Sequence, residues 1–172
     1  KSVSILGSTG SIGLHSLKIF DIKKSFFNIN LLMANKNYNL ICQQIKKFKP
    51  NVFVISDEKI YIKVKNKFKK NNTLIINTIN LKKKFIKKSN ITIAAIPGIA
   101  GLAPTIEMIK STKKILIANK ESIICGWNLI KKTALKNKTQ IIPVDSEHFS
   151  IMKLLKEHKN NDVKKIYLTA SG

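Results

Sequence analysis

Short apolar runs alternate with amphipathic segments along almost the whole chain, and few folds accommodate that order. Residues 2–6 form an apolar run that stops at Gly7, and residues 12–22 follow with helical spacing. Residues 29–34 read as a second strand. Ile41, Ile45 and Phe48 then sit at i, i+4 and i+7 and predict a helix over 38–49, closed by Pro50. Residues 51–55 predict a strand, and 57–70 a helix with Ile60, Val64 and Phe68 on one side. Strands are expected at 74–76 and 91–96, with a Lys-rich segment between them. Pro97-Gly98 breaks the chain, and Leu102, Ile106 and Ile109 then mark a helix face. A strand over 115–118 precedes a longer helix whose apolar face is Ile123, Trp127, Ile130 and Ala134. Residues 141–144 predict a strand, 147–157 a helix and 166–169 a last strand. Strands this apolar, with a helix between successive ones, make a mostly parallel sheet with helices on both faces: an α/β fold.

Composition narrows the class further. The 172 residues suit one compact domain, or one plus a fragment, and the 44% hydrophobic content allows a sizeable core. No run of eighteen apolar residues suggests a membrane span. The net charge of +23 points first to nucleic acid, yet all 32 basic residues are Lys and none is Arg. Lys, Ile and Asn make up 78 of the 172 residues, and all three have AT-rich codons. Drift in an AT-rich genome accounts for the charge, because a nucleic-acid binder without Arg lacks the fork that reads guanine and phosphate. Such a field still draws small phosphorylated ligands. The Lys runs 82–84 and 87–88 read as solvated faces. Cys42 and Cys125 have no CxxC spacing and no metal-spaced His partner, so they read as reduced thiols in or near the core of a cytosolic protein. No targeting segment is visible. A chain that begins at Lys1 and stops at Ser171-Gly172 reads as an interrupted sequence.

Two segments carry chemistry. Gly7-Ser8-Thr9-Gly10-Ser11-Ile12-Gly13 joins the first strand to the first helix. Gly7 permits a tight turn, Gly10 a close backbone approach to a pyrophosphate, and Gly13 close packing of helix on sheet. The spacing is GxxGxxG without GK[ST], which excludes a Walker P-loop. A glycine-rich turn with no ligand is the alternative. Strand two ends at Asn35-Lys36-Asn37, where an NAD-binding domain usually carries an acid for the ribose 2′-OH. The missing acid favours NADP(H).

The second segment is Pro143-Val144-Asp145-Ser146-Glu147-His148, which holds two of the chain's nine acids one residue apart. In extended backbone both carboxylates would point the same way, onto a hard cation such as Mg²⁺ or Mn²⁺. The same residues also suit a helix N-terminus with Ser146 as cap and Glu147 favoured by the dipole. His148 reads as an orienting or packing residue. His15 and His158 have no visible partners and read as helix-surface residues. Asn119-Lys120-Glu121, at another strand end, suits a nicotinamide ribose and an anionic substrate, or is an ordinary polar loop.

Taken together, GSTGSIG at 7–13, AAIPGIAGLAPT at 94–105, LIANKES at 116–122 and PVDSEH at 143–148 resemble the 1-deoxy-D-xylulose-5-phosphate reductoisomerases. The closing LTASG is similar to that family's Ser-Gly-rich turn. The resemblance covers the whole chain, and the ANKES and PVDSEH pair is its most specific part. It implies a Rossmann-like NADPH-binding domain over residues 1–142 and the start of a metal- and substrate-binding catalytic α/β domain over 143–172. It implies an NADPH- and divalent-metal-dependent enzyme that converts 1-deoxy-D-xylulose 5-phosphate to 2-C-methyl-D-erythritol 4-phosphate in isoprenoid synthesis. The skeleton rearranges first and hydride then reduces the aldehyde. Fosmidomycin is the family's inhibitor.

Residue by residue, the resemblance assigns Thr9, Gly10, Ser11 and Ile12 to the pyrophosphate. It assigns Asn35, Lys36 and Asn37 to the 2′-phosphate ribose, with Asn35 where many members have Gly. Asn119 and Glu121 go to the nicotinamide half, Lys120 and Ser146 to the substrate, and Ser171 to the substrate's phosphate. Asp145 and Glu147 become catalytic metal ligands. Full-length members are about twice this length or more, so the remaining metal carboxylate, phosphate pocket and lid would follow Gly172. The 172-residue piece alone is expected to bind NADPH weakly at best and not turn over. A homodimer is implied, with a phosphorylated sugar as partner and neither nucleic acid nor membrane; the missing targeting segment points to the bacterial cytoplasm, or to a plastid-type enzyme that has lost its transit peptide. Another NADP-dependent dehydrogenase of Rossmann type, or a basic polyanion-binding module, are the alternatives.

Overall fold

A computed structural model describes residues 1–78, 87–156 and 163–167. Its strands are Ser2–Leu6 (β1), Asn28–Ala34 (β2), Val52–Ile55 (β3), Leu74–Ile76 (β4), Ser89–Ala94 (β5), Thr112–Ile117 (β6) and Gln140–Pro143 (β7). They form one parallel seven-stranded sheet in the order β4-β3-β2-β1-β5-β6-β7. The helices are Ser11–Ile22 (α1), Tyr38–Phe48 (α2), Glu58–Lys67 (α3), Leu102–Ile109 (α4), Lys120–Asn137 (α5) and Ser146–Leu155 (α6). A short 3₁₀ turn, Ile99–Gly101, leads into α4.

Side-chain alternation along each strand builds two cores. Leu32, Ala34, Phe53 and Ile55 pack under Leu17 of α1, Ile41 and Ile45 of α2 and Val64 of α3. The intervening Leu31, Met33, Val52 and Val54 face the other way, where Met108 and Ile109 of α4 and Ile130 and Ala134 of α5 join the second core. Burial on both faces is why these strands read as unbroken apolar runs, and each large side chain so buried contributes about 1.5–3 kcal/mol. The chain winds outward from β1 to β4, then crosses back to set β5 against the other side of β1. Strand order reverses there, which opens a crevice at the C-terminal strand ends.

Several elements depart from expectation. β5 ends at Ala94, so Ala95 and Ile96 lie beyond the strand, on the crevice. β6 begins at Thr112, with Lys113 and Lys114 exposed along it. In α5 the backbone leaves helical geometry at Gly126 (φ −130°, ψ 15°), where a side chain would collide with Leu102 of α4. Beyond that kink Ile130 and Ala134 stay buried, but Trp127, expected on the same face, is 44% exposed. Cys42 is buried as expected and Cys125, just before the kink, is exposed. α6 stops at Leu155 and has no buried residue. Ile166 and Tyr167 are exposed and form no strand, since no strand among the described residues pairs with them. The rest of that expected strand, His158, Ser171, the LTASG turn and the 82–84 Lys run lie outside the described residues. Lys87, Lys88 and His15 are exposed.

Candidate active site

The glycine loop is set by backbone contacts on every side. The N–H groups of Gly7 and Ser8 both donate to Met33 O at the end of β2, at 2.9 and 2.8 Å. Gly7 takes φ +85°, and a Cβ there would come within 2.6 Å of Ala95 O. A Cβ on Gly13 would collide with Gly7 O and lie 2.7 Å from Ser8 Cα, so α1 packs against its own entry loop. Gly10 differs. Its φ is −80°, and a Cβ would meet only Gly7 O, at 3.5 Å. The fold therefore has no need of glycine at position 10, and the missing side chain leaves a bare backbone surface on the crevice.

Helix capping reinforces that contrast. Asn37, Asp57, Asn119 and Asp145 each accept a backbone N–H at the start of α2, α3, α5 and α6. α1, with Gly10 at its cap position, has no side-chain cap, as α4 also has none, so the first N–H groups of α1, which open on the crevice, remain for an anion.

The crevice consists of two adjoining cavities that share Gly10 and the Ala95–Pro97 segment. One, of about 590 Å³, is lined by Thr9, Asn35 and Ser56 and floored by apolar residues including Met33 and Pro104. The other, of about 470 Å³, brings together Ser11, Ile12, Asn119, Lys120 and Glu121 with Asp145, Ser146 and Glu147. Lys36 and Asn37 do not line either cavity. Lys36 is exposed just before α2, and Asn37 uses its Oδ1 to cap that helix. Asn35 has no positive φ, so an Asn fits there without strain.

Asn119 is 4% exposed and works hard for the fold. Its Nδ2 donates to Ile96 O and, at 2.8 Å, to Gly98 O, while Oδ1 accepts Ser122 N. It thereby ties the loop after β5 to the start of α5 and places Lys120 and Glu121 at the cavity.

The acidic motif takes the helical form. Asp145 itself is extended (φ −71°, ψ 157°), but α6 begins at Ser146, so the expected extended alternation of the two carboxylates does not hold. The cap is Asp145 rather than Ser146. Asp145 Oδ1 accepts the backbone N–H of His148 at 2.9 Å and lies 2.6 Å from its Nδ1. Glu147 Oε2 accepts from Ser146 Oγ at 2.9 Å. Partial burial pushes the Asp145 carboxyl up, but the bonds from His148 outweigh it and the net displacement is below the ordinary carboxylate range. Glu147 is also displaced downward, through its own backbone N–H, the Ser146 hydroxyl and the charge of Lys120. Both groups are anionic at neutral pH, and both line the same cavity. This carboxylate pair fits a hard divalent cation, with the remaining positions open to water and substrate. Among the described residues no group of three or more His, Cys, Asp and Glu side chains forms a complete cage.

Sequence reasoning passed over the Ala95–Pro97 floor and Ser56. The signal was available, because ligands gather beyond the C-terminal ends of parallel strands.

The family model for 1-deoxy-D-xylulose 5-phosphate reductoisomerase matches residues 3–126, and the model for that enzyme's C-terminal domain matches residues 141–172. A relative from Pelagibacter ubique described as 1-deoxy-D-xylulose 5-phosphate reductoisomerase is 45% identical over the whole of this chain and 45% of its own length. A solved structure of the Zymomonas mobilis reductoisomerase in complex with NADPH superposes with a TM-score of 0.76 at 28% identity, covering 86% of this chain and 39% of that one. A reductoisomerase in complex with NADPH, fosmidomycin and magnesium gives 0.75 at 31% identity, covering 86% and 37%. The chain spans about half the length of the relatives it matches. On these matches the chain belongs to the 1-deoxy-D-xylulose 5-phosphate reductoisomerase family.

Proposed function

We propose that this chain supplies the NADPH site and the first metal ligands of an enzyme that converts 1-deoxy-D-xylulose 5-phosphate to 2-C-methyl-D-erythritol 4-phosphate. The observation that carries the reading is the single crevice in which the bare Gly10 surface, the start of α5 and the two carboxylates meet. The pyrophosphate lies against Thr9, Gly10, Ser11 and Ile12, at the uncapped start of α1. The adenosine end occupies the cavity beside Asn35, with Lys36 and Asn37 next to the 2′-phosphate. Asn119 and Glu121 border the nicotinamide half, and Lys120 and Ser146 face the sugar phosphate. Ser171 is assigned to the substrate's phosphate.

Asp145 and Glu147 hold the divalent cation, which supplies charge to a carbonyl oxygen as the skeleton rearranges. NADPH supplies the hydride, and the chain's part is to fix its ring over the substrate. His148 locks one oxygen of Asp145 and leaves the other for the cation. Lys120 draws the anionic substrate into place and balances Glu147. The cofactor domain covers residues 1–142 and the catalytic domain opens at 143, at the end of β7. The second family match begins at residue 141, within two residues of that division. The full-length protein works as a homodimer in the bacterial cytoplasm.

Incubation of the full-length protein with NADPH, deoxyxylulose phosphate and Mg²⁺ tests the reading. NADPH is consumed, and omission of the sugar phosphate or of the metal abolishes consumption. Undiminished consumption in excess EDTA would favour a metal-free dehydrogenase instead.

A further inference from the structure

A buried polar clasp joins the glycine loop to α2. Ser8 is fully buried and Gln44 is 4% exposed. Ser8 Oγ donates to Gln44 Oε1 at 2.7 Å, and Gln44 Nε2 donates to Ser8 O at 2.9 Å. Gln44 sits among Ile41, Cys42 and Ile45, on the face that α2 turns to the core, where an alkyl side chain would be the ordinary occupant. Its amide instead matches both the hydroxyl and the carbonyl of one loop residue. Sliding α2 along the loop breaks both bonds where water cannot replace them, so the relative position of the two is held.

The two ends of this clasp serve different parts of the cofactor. Ser8 adjoins Thr9 and Gly10, which meet the pyrophosphate on the reading above. Gln44 lies two turns into α2, whose cap is Asn37 and whose preceding residue is Lys36, beside the 2′-phosphate. We propose that Gln44 is a positioning residue that fixes the spacing between the pyrophosphate loop and the 2′-phosphate residues, and thereby sets the preference for NADPH over NADH. The proposal rests on the cofactor reading of the preceding subsection. NADPH must engage both phosphate sites at once, whereas NADH engages only the loop. Loosening the clasp therefore costs NADPH more than NADH. A clasp that only stabilised the fold would weaken both cofactors alike.

The test uses the full-length protein and its Ser8→Ala and Gln44→Met variants, with dissociation constants for NADPH and NADH from fluorescence titration. Lys36→Ala is then added to each background. Gln44→Met is expected to lower the NADPH/NADH preference about tenfold and Ser8→Ala about threefold, with the Lys36→Ala effect shrinking when Gln44 is Met. An unchanged preference, an equal loss for both cofactors, or a Lys36→Ala effect identical in both backgrounds would overturn the proposal. Should Gln44→Met fail to fold, Ser8→Ala carries the same comparison. NADPH binding by the unmutated protein separates the two levels. If it binds and the preference does not respond, the clasp inference alone fails; if it does not bind, the cofactor reading fails and takes the inference with it.

Discussion

The two ends of the crevice are built in opposite ways. At the glycine loop, β1, β2, β5, α1 and α2 all meet, and Gly7 and Gly13 admit no side chain. At the acidic end, α6 buries no residue, and its carboxylates are oriented by their own neighbours Ser146 and His148. One site is shaped by the global fold before any ligand arrives. The other is shaped by a helix cap and its immediate neighbours. On the proposed reading, preorganisation of the first suits a cofactor common to every turnover, while the second can adjust to a substrate whose bonding changes.

Substitutions at the loop should produce the largest contrast. Gly13→Ala drives a methyl group into loop backbone and is expected to cost about 1–3 kcal/mol of stability, read as a lowered urea midpoint. Gly10→Ala meets only an ordinary contact, so stability should stay within about 0.5 kcal/mol while NADPH affinity falls. Equal destabilisation by the two would break the distinction between a glycine the fold requires and one the ligand requires.

At the acidic end the order reverses, with activity lost and fold kept. Asp145→Asn with Glu147→Gln should cut metal-dependent turnover of the full-length protein by on the order of 100-fold or more, with an unchanged unfolding midpoint. Asp145→Ala adds loss of the cap, worth about 1 kcal/mol to α6, and hydrogen exchange should show faster amides in its first turn only. The smallest effect is on pH dependence. Both carboxyls titrate below their ordinary values in the folded protein, so their stabilising effect is present above the unfolded carboxylate range. It is lost as pH falls through the lowered folded values. Carboxyl NMR should show His148→Ala moving Asp145 back upward, and no movement would contradict the role given to His148.

Alternation and periodicity were enough to read the sheet and both its covered faces, because strands buried on two sides leave an unmistakable apolar run. They failed where tertiary contact overrides period. Gly126 meets Leu102 and breaks α5, and Trp127 then leaves the face that its spacing assigned to it. The two carboxylates were singled out for a partly mistaken reason. Spacing in an extended chain suggested convergence, but a helix begins at Ser146 and the cavity joins them by the placement of β7 and α6. The Ser8–Gln44 clasp was illegible, since a lone Gln on an apolar face shows its purpose only once its partner, 36 residues away in sequence, is in place.

The most direct test is a titration of NADPH into the full-length Asp145→Asn, Glu147→Gln double variant, paired with a turnover assay. The account predicts a dissociation constant within about twofold of the unmutated protein, together with loss of metal-dependent turnover, because the glycine loop is held by β1, β2 and α2 and not by the two carboxylates. Loss of NADPH binding in that variant, or turnover that survives it, would contradict the division of the crevice into a preformed cofactor site and a separate metal site.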